Sequence, residues 1–126
     1  MIEKKVLVVD DEETIRVFLQ KMISEFGYTV ELACSGKDAL DKIKNEEFQL
    51  IIIDLRMPEI DGTELCRRIR DADSAAVIYA LSGYISEFKP EKLKDIGFDG
   101  HLCKPVNDTV LKHAIEGAFA TRDQRG

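Results

Sequence analysis

Leu50-Ile51-Ile52-Ile53-Asp54 is a run of four aliphatic residues that stops on a carboxylate. So short a run, rich in β-branched side chains, marks a strand buried on both faces, as in a parallel sheet covered by helices. The same pattern appears twice more. Val6-Leu7-Val8-Val9 stops on Asp10-Asp11, and a shorter run around Leu102 stops on Lys104-Pro105. As parallel strands, these runs would bring three carboxylates and one ammonium to a single edge of one sheet. Open α/β sheets bind ligands in the crevice at the carboxyl ends of their strands. That edge is where function is expected.

Helical patterns fill the gaps between the runs. Ile15, Phe18, Leu19, Met22, Ile23 and Phe26 recur at helical spacing, and Gly27 stands where a C-terminal cap belongs. Tyr28–Ala33 is predicted as the second strand. Ser35 with Asp38 resembles a capping box for a helix using Ala39, Leu40 and Ile43. Gln49–Asp54 is the third strand, and Asp61 with Glu64 opens a helix that buries Leu65 and Ile69. Ala76–Leu81 is the fourth strand. A helix over 86–96 admits Pro90 only in its first turn and has Gly97 past its end. Residues 98–103 form the fifth strand, and Asn107 caps a last helix striped by Val110, Leu111, Ala114, Ile115, Ala118 and Phe119.

Five β-then-α units predict an α/β fold: a doubly wound five-stranded parallel sheet with five helices on its two faces, a three-layer sandwich. No linker or repeat interrupts the pattern. One domain is expected over 1–121, with 122–126 as a short flexible tail or the start of a linker.

Composition narrows the function classes. A chain of 126 residues can bury one core, and 44% hydrophobic with 33% charged residues is the balance of a soluble globular protein. A net charge of −6 argues against a direct nucleic-acid surface and weakens attraction to anionic membranes. Cys34, Cys66 and Cys103 lack metal-ligand spacing and are expected as reduced thiols of a cytoplasmic protein. The apolar run after Lys4-Lys5 is too short for a signal peptide, and none is long enough for membrane insertion.

Crowded carboxylates raise one another's pKa values, and a hard divalent cation relieves the repulsion. Oxygen ligands without histidine or thiolate favour magnesium or manganese over zinc. Magnesium prefers one or two carboxylates plus a phosphate, which suggests a phosphoryl-handling site with Lys104 as a compact donor. Ser82-Gly83 adds a hydroxyl and an accessible amide. A nucleotide loop would need glycines after the first strand, but Asp10-Asp11-Glu12-Glu13 stands there. A carboxylate can itself attack phosphorus, and Asp54, at the end of the most apolar strand, is the best-placed nucleophile.

Asp10-Asp11 after the first strand, Asp54-Leu-Arg-Met-Pro-Glu-Ile-Asp61-Gly62 after the third, Ser82 after the fourth and Lys104-Pro105 after the fifth resemble the receiver domain of two-component response regulators. The resemblance covers residues 4–120, with the motifs in the family's order and spacing. It implies a flavodoxin-like sheet of strand order 2-1-3-4-5. It also implies that Asp54 accepts a phosphoryl group from a phosphohistidine on a sensor histidine kinase or histidine phosphotransfer protein. Asp10, Asp11, Asp54 and the backbone carbonyl of Arg56 would hold Mg2+, with Mn2+ as the alternative. Lys104 would pair with the phosphoryl group, Ser82 would swing to hydrogen-bond it, and Pro105 would follow a cis peptide bond.

The chain departs from the family pattern at one switch position. The family usually has tyrosine or phenylalanine three residues before the lysine, and here His101 stands there. Histidine titrates near neutral pH, so the switch ring could carry charge. Arg56 and Tyr84 lie two residues beyond Asp54 and Ser82, positions that the resemblance places beside the phosphoryl group, and their large side chains would hinder an attacking water and slow autodephosphorylation. An aspartate-nucleophile phosphohydrolase is the enzyme alternative. Such enzymes usually carry a second Asp two residues after the nucleophile, where this chain has Arg56. The expectation is therefore a phosphorylatable switch rather than an enzyme, acting on a downstream protein target or a fused output domain.

Overall fold

The computed structural model describes residues 4–83 and 89–125. Its elements alternate strictly: β1 (Lys5–Val9), α1 (Glu13–Glu25), β2 (Thr29–Ala33), α2 (Gly36–Asn45), β3 (Leu50–Asp54), α3 (Gly62–Ala72), β4 (Ile78–Ser82), α4 (Pro90–Ile96), β5 (Gly100–Cys103) and α5 (Asp108–Arg125). The strands form one 5-stranded sheet in the order β2-β1-β3-β4-β5, every pairing parallel. This is the doubly wound order expected from the sequence.

Alternation along the strands divides the core in two. Leu7, Val9, Ile51, Ile53, Ile78 and Ala80 face α2, α3 and α4, where Ala39, Leu65, Ile69 and Leu93 meet them. Val6, Val8, Leu50, Ile52 and Leu81 face α1 and α5, against Leu19, Ile23, Leu111, Ile115 and Phe119. Every residue of β3 is buried, as its near-continuous aliphatic run requires.

The caps read from sequence are present. Ser35 Oγ accepts from Asp38 N, and Asp61 Oδ1 accepts from Glu64 N. Asn107 Oδ1 accepts from Thr109 N and Val110 N at the start of α5. Gly27 has φ 96°, the left-handed conformation that ends α1. Pro90 opens α4 at its first position. The helix expected over 86–96 is thus corrected at its start: Lys89 is the extended N-cap, as the residue before a proline is kept out of the helical region, and 86–88 lie outside the described residues.

Four other expectations need correction. Phe18 and Val110 belong to the apolar stripes of α1 and α5 by spacing, but they are 48% and 55% exposed. Each immediately precedes the innermost residue of its stripe, Leu19 or Leu111, and one helical step of about 100° turns it to solvent. Residues 122–125 are not a loose tail; they are the last turn of α5. Arg122 Nη2 lies 2.6 Å from Glu47 Oε1, and Arg125 Nη2 lies 2.6 Å from Asp99 Oδ1. The fourth strand starts at Ile78, not Ala76, because the Ala76 carbonyl accepts from Arg70 Nη1 and Arg125 Nη1 instead of a ladder partner. The fifth starts at Gly100, not 98: Asp99 N donates to Ile78 O at 2.7 Å, but the Ile78 amide goes to the Asp99 side chain at 2.9 Å and not to a backbone carbonyl.

Candidate functional site

The strands that matter stop level with one another. β1 ends one residue before Asp10, β3 at Asp54, β4 at Ser82 and β5 one residue before Lys104. The register holds them there: Val9 pairs with Ile53, Asp54 with Leu81, and Ser82 with Cys103. Carboxylate oxygens of Asp10, Asp11 and Asp54 lie within 4.8 Å of one another. The structure thus assembles the three carboxylates that the sequence scatters over 45 positions.

Asp10 is fully buried and Asp54 is 5% exposed, while Asp11 is open to solvent. Lys104 reaches into the cluster, its Nζ 3.2 Å from Asp10 Oδ2 and 3.6 Å from Asp54 Oδ1. The Lys104–Pro105 peptide is cis, as the resemblance implies. Burial alone would lower the Lys104 pKa, but the charges of Asp10 and Asp54 outweigh it and hold the ammonium above its ordinary value. Asp54 moves the other way. Burial and then the Asp10 carboxylate push its pKa up to about 6, against the opposing pull of Lys104 and the Arg56 amide.

Backbone bonds fix the frame. Leu55 N donates to Leu81 O at 3.0 Å, Gly62 N to Leu55 O at 3.1 Å, and Lys104 N to Ser82 O at 2.7 Å. Glu12 N donates to Asp10 Oδ1 at 2.9 Å, and Arg56 N to Asp54 Oδ1 at 3.3 Å. A Cβ on Gly62 would stand 2.7 Å from Leu55 Cα, so only glycine lets α3 start this close to the end of β3.

Among the described residues, two buried side-chain atoms lack a hydrogen-bond partner, and both belong to this edge: Asp10 Oδ2 and Ser82 Oγ. Asp10 Oδ2 faces Lys104 as an ion pair without a well-directed hydrogen bond. A buried acceptor left in this state fits a cation as its missing partner, and the all-oxygen donor set fits magnesium. The unpartnered Ser82 hydroxyl, at the end of β4 with β3 between it and β1, can donate to an anion placed beside Asp54.

The other candidates fall into place as follows. Arg56 is exposed beside the cluster. His101 is also exposed. Its register partner is Ala80, so alternation puts His101 and Ser82 on the same face of the sheet, the one covered by α4. Tyr84 lies outside the described residues. Cys34 and Cys103 are exposed free thiols and Cys66 is a buried one. A cavity of about 870 Å³ between α2 and α3, floored by Leu40, Phe48, Ile51 and Ile69, includes none of these site residues.

Sequence reasoning missed two contributors. Arg16 Nη1 donates to Asp10 O at 2.8 Å from within α1. Nothing in the helical stripe signals that a polar-face arginine turns back on the loop before its own helix. Glu59 takes φ 66° in the loop between β3 and α3. Pro58 at the preceding position is the available signal, since Pro favours the first corner of a turn whose second corner needs positive φ.

Comparison with known proteins agrees with this geometry. A family model described as "Response regulator receiver domain" matches residues 6–116. The alkaline phosphatase synthesis transcriptional regulatory protein PhoP of Bacillus subtilis (strain 168) is 36% identical over 113 residues, covering 90% of this chain and 47% of PhoP. The sensor protein EvgS of Escherichia coli O157:H7 is 35% identical over 107 residues, covering 85% of this chain and 9% of EvgS. The chain therefore spans less than half the length of these curated relatives. A crystal structure of a response regulator receiver domain protein (CheY-like) from Methanospirillum hungatei JF-1 superposes with a TM-score of 0.91 at 29% identity, covering 99% of this chain and 100% of that one.

Proposed function

The chain belongs to the response regulator receiver domain family, a phosphoacceptor signalling family, and from that premise we propose that Asp54 is its phosphoacceptor. The observation that carries this reading is the gathering of Asp10, Asp11, Asp54 and Lys104 at one sheet edge. Asp54 stands at the end of the fully buried central strand, with neighbouring strands on both sides. One of its carboxylate oxygens attacks the phosphorus of a phosphohistidine in line. The P–O bond forms as the P–N bond breaks, and the imidazole leaves with the electron pair and is protonated by solvent.

The protein's contribution is positioning and charge balance. Lys104 offsets charge on the arriving phosphoryl oxygens, and the unpartnered Ser82 hydroxyl donates to one of them. Asp10, Asp11, Asp54 and the Arg56 carbonyl would hold magnesium, which supplies charge neutralisation at the transferring group. Arg56 shields the product from water, and His101, on the same α4 face of the sheet as Ser82, carries the altered state outward. We read the chain as a switch and not a phosphohydrolase, because Arg56 occupies the place where a second acid would be needed to release product.

No helix of the described residues is long and apolar enough to cross a membrane. A cytoplasmic location, a sensor kinase or phosphotransfer protein as donor, and a protein target or fused output domain complete the proposal. Intact-mass measurement after incubation with Mg2+ and acetyl phosphate tests it. One phosphoryl adduct, absent in Asp54→Asn and without Mg2+, is expected. An adduct that persists in Asp54→Asn would reassign the acceptor.

A further inference from the structure

The geometry points to Arg16 as the positioning residue that sets the shape of the acidic pocket, an inference resting on the magnesium-binding role proposed above. The turn from β1 into α1 carries both Asp10 and Asp11, yet its helix start is weakly fixed. Glu12 occupies the N-cap of α1 and makes no side-chain cap bond, whereas Ser35 and Asp61 cap α2 and α3. Asp10 Oδ1 compensates in part by accepting from Glu12 N. Half-buried Arg16 supplies the rest, its Nη1 donating to Asp10 O at 2.8 Å while its own amide bonds Glu12 O at 3.1 Å.

That carbonyl belongs to the peptide joining Asp10 to Asp11, so a rotation there tilts both carboxylates at once. Magnesium demands near-octahedral ligands at about 2.0–2.1 Å, which makes such a tilt costly. Groups that orient ligands without touching the metal typically change affinity by about 10–100-fold when removed. Charge alone acts in the opposite direction. A guanidinium beside the pocket repels a cation, so deleting it would tighten magnesium binding if position did not matter. The sign of the effect therefore separates the two roles.

Calorimetric titration of the chain with MgCl2 decides the matter, for the parent, Arg16→Ala and Arg16→Lys. Positioning predicts that Arg16→Ala weakens Mg2+ binding about tenfold. Arg16→Lys, which keeps the charge but loses the planar fork, should recover part of that loss. The rate of phosphorylation by acetyl phosphate should return to the parent's at saturating Mg2+, because only cation affinity has changed. Binding by Arg16→Ala equal to or tighter than the parent's overturns the inference. If Arg16→Ala does not fold, Arg16→Lys decides alone: weaker binding than the parent supports positioning, and unchanged or tighter binding refutes it. A parent chain that binds no Mg2+ would instead overturn the magnesium role itself, and with it this inference.

Discussion

Lys104 stands closer to Asp10 than to Asp54, 3.2 Å against 3.6 Å, and its partner Asp10 is the fully buried member of the pair. Without a metal, this ammonium is what makes a buried carboxylate tolerable. Breaking a buried pair by removing one partner costs about 3–5 kcal/mol, because a charge is left without compensation. Lys104→Met should therefore lower unfolding free energy by about 3 kcal/mol in EDTA. Urea denaturation in EDTA and in excess Mg2+ checks this. Added Mg2+ should recover much of the loss, and equal deficits in both conditions would contradict the role given to the lysine.

Asp54 gives a pH dependence with a defined sign. Its pKa of about 6 in the fold exceeds the ordinary 3.8, so the folded state binds the extra proton. Stability from this group is greatest below pH 3.8 and falls as pH rises through the window from 3.8 to about 6. Asp54→Asn removes the penalty. It should be more stable than the parent by on the order of 2 kcal/mol at pH 8 in EDTA, and by nearly nothing at pH 3.5. Denaturant midpoints at the two pH values read the difference directly.

The loop between β3 and α3 supports opposite predictions at two positions. Gly62→Ala places a methyl group against Leu55 Cα and the Asp54 carbonyl, both fixed backbone. A loss of about 1–3 kcal/mol and slower phosphorylation are expected, since relief requires shifting the backbone at Asp54. Glu59→Gly relieves a side chain held at φ 66° and should stabilise by about 0.5–1 kcal/mol. Thermal melts of the two variants should move in opposite directions.

Asp99 anchors the far end of the sheet. Its side chain receives Arg70 Nη2 at 3.0 Å, Arg125 Nη2 at 2.6 Å and Ile78 N at 2.9 Å. Burial alone would raise its pKa, but the bonds from Arg125, Ile78 and Arg70 outweigh it and hold the carboxyl below the ordinary 3.8. The resulting stability is complete above the unfolded value and is lost as pH falls through the lowered one. Asp99→Asn should cost about 1–3 kcal/mol at pH 7 and less as acid weakens the parent. Hydrogen exchange should quicken in the last turn of α5, and unchanged protection there would detach Asp99 from the helix end.

The fold was largely legible because β1 and β3 announce themselves as aliphatic runs of four, each stopping on a carboxylate, and helical stripes alternate with the strands around them. Caps at Ser35, Asp61 and Asn107 were legible for a similar reason, since a cap is a local bond between residues two or three apart. Long-range charge pairing was not. Arg122 and Arg125 read as tail residues because Glu47 and Asp99, which hold them, are 75 and 26 positions away. Phe18 and Val110 show a different limit, since periodicity identifies a stripe but not which of its edges faces water. At the site, the carboxylates and Lys104 were legible as strand ends, whereas the bond from Arg16 back to Asp10 leaves no periodic trace.

The backbone bond from Lys104 N to Ser82 O has a mechanical consequence. It splices the ends of β4 and β5, so the ammonium and the hydroxyl hang from one backbone frame. Asp54 and Ser82 both end strands with a neighbour on each side, whereas Lys104 follows β5, which has a neighbour on one side only. A shift of Lys104 would therefore pass to the end of β4 through that one backbone bond before it reached the centre of the sheet.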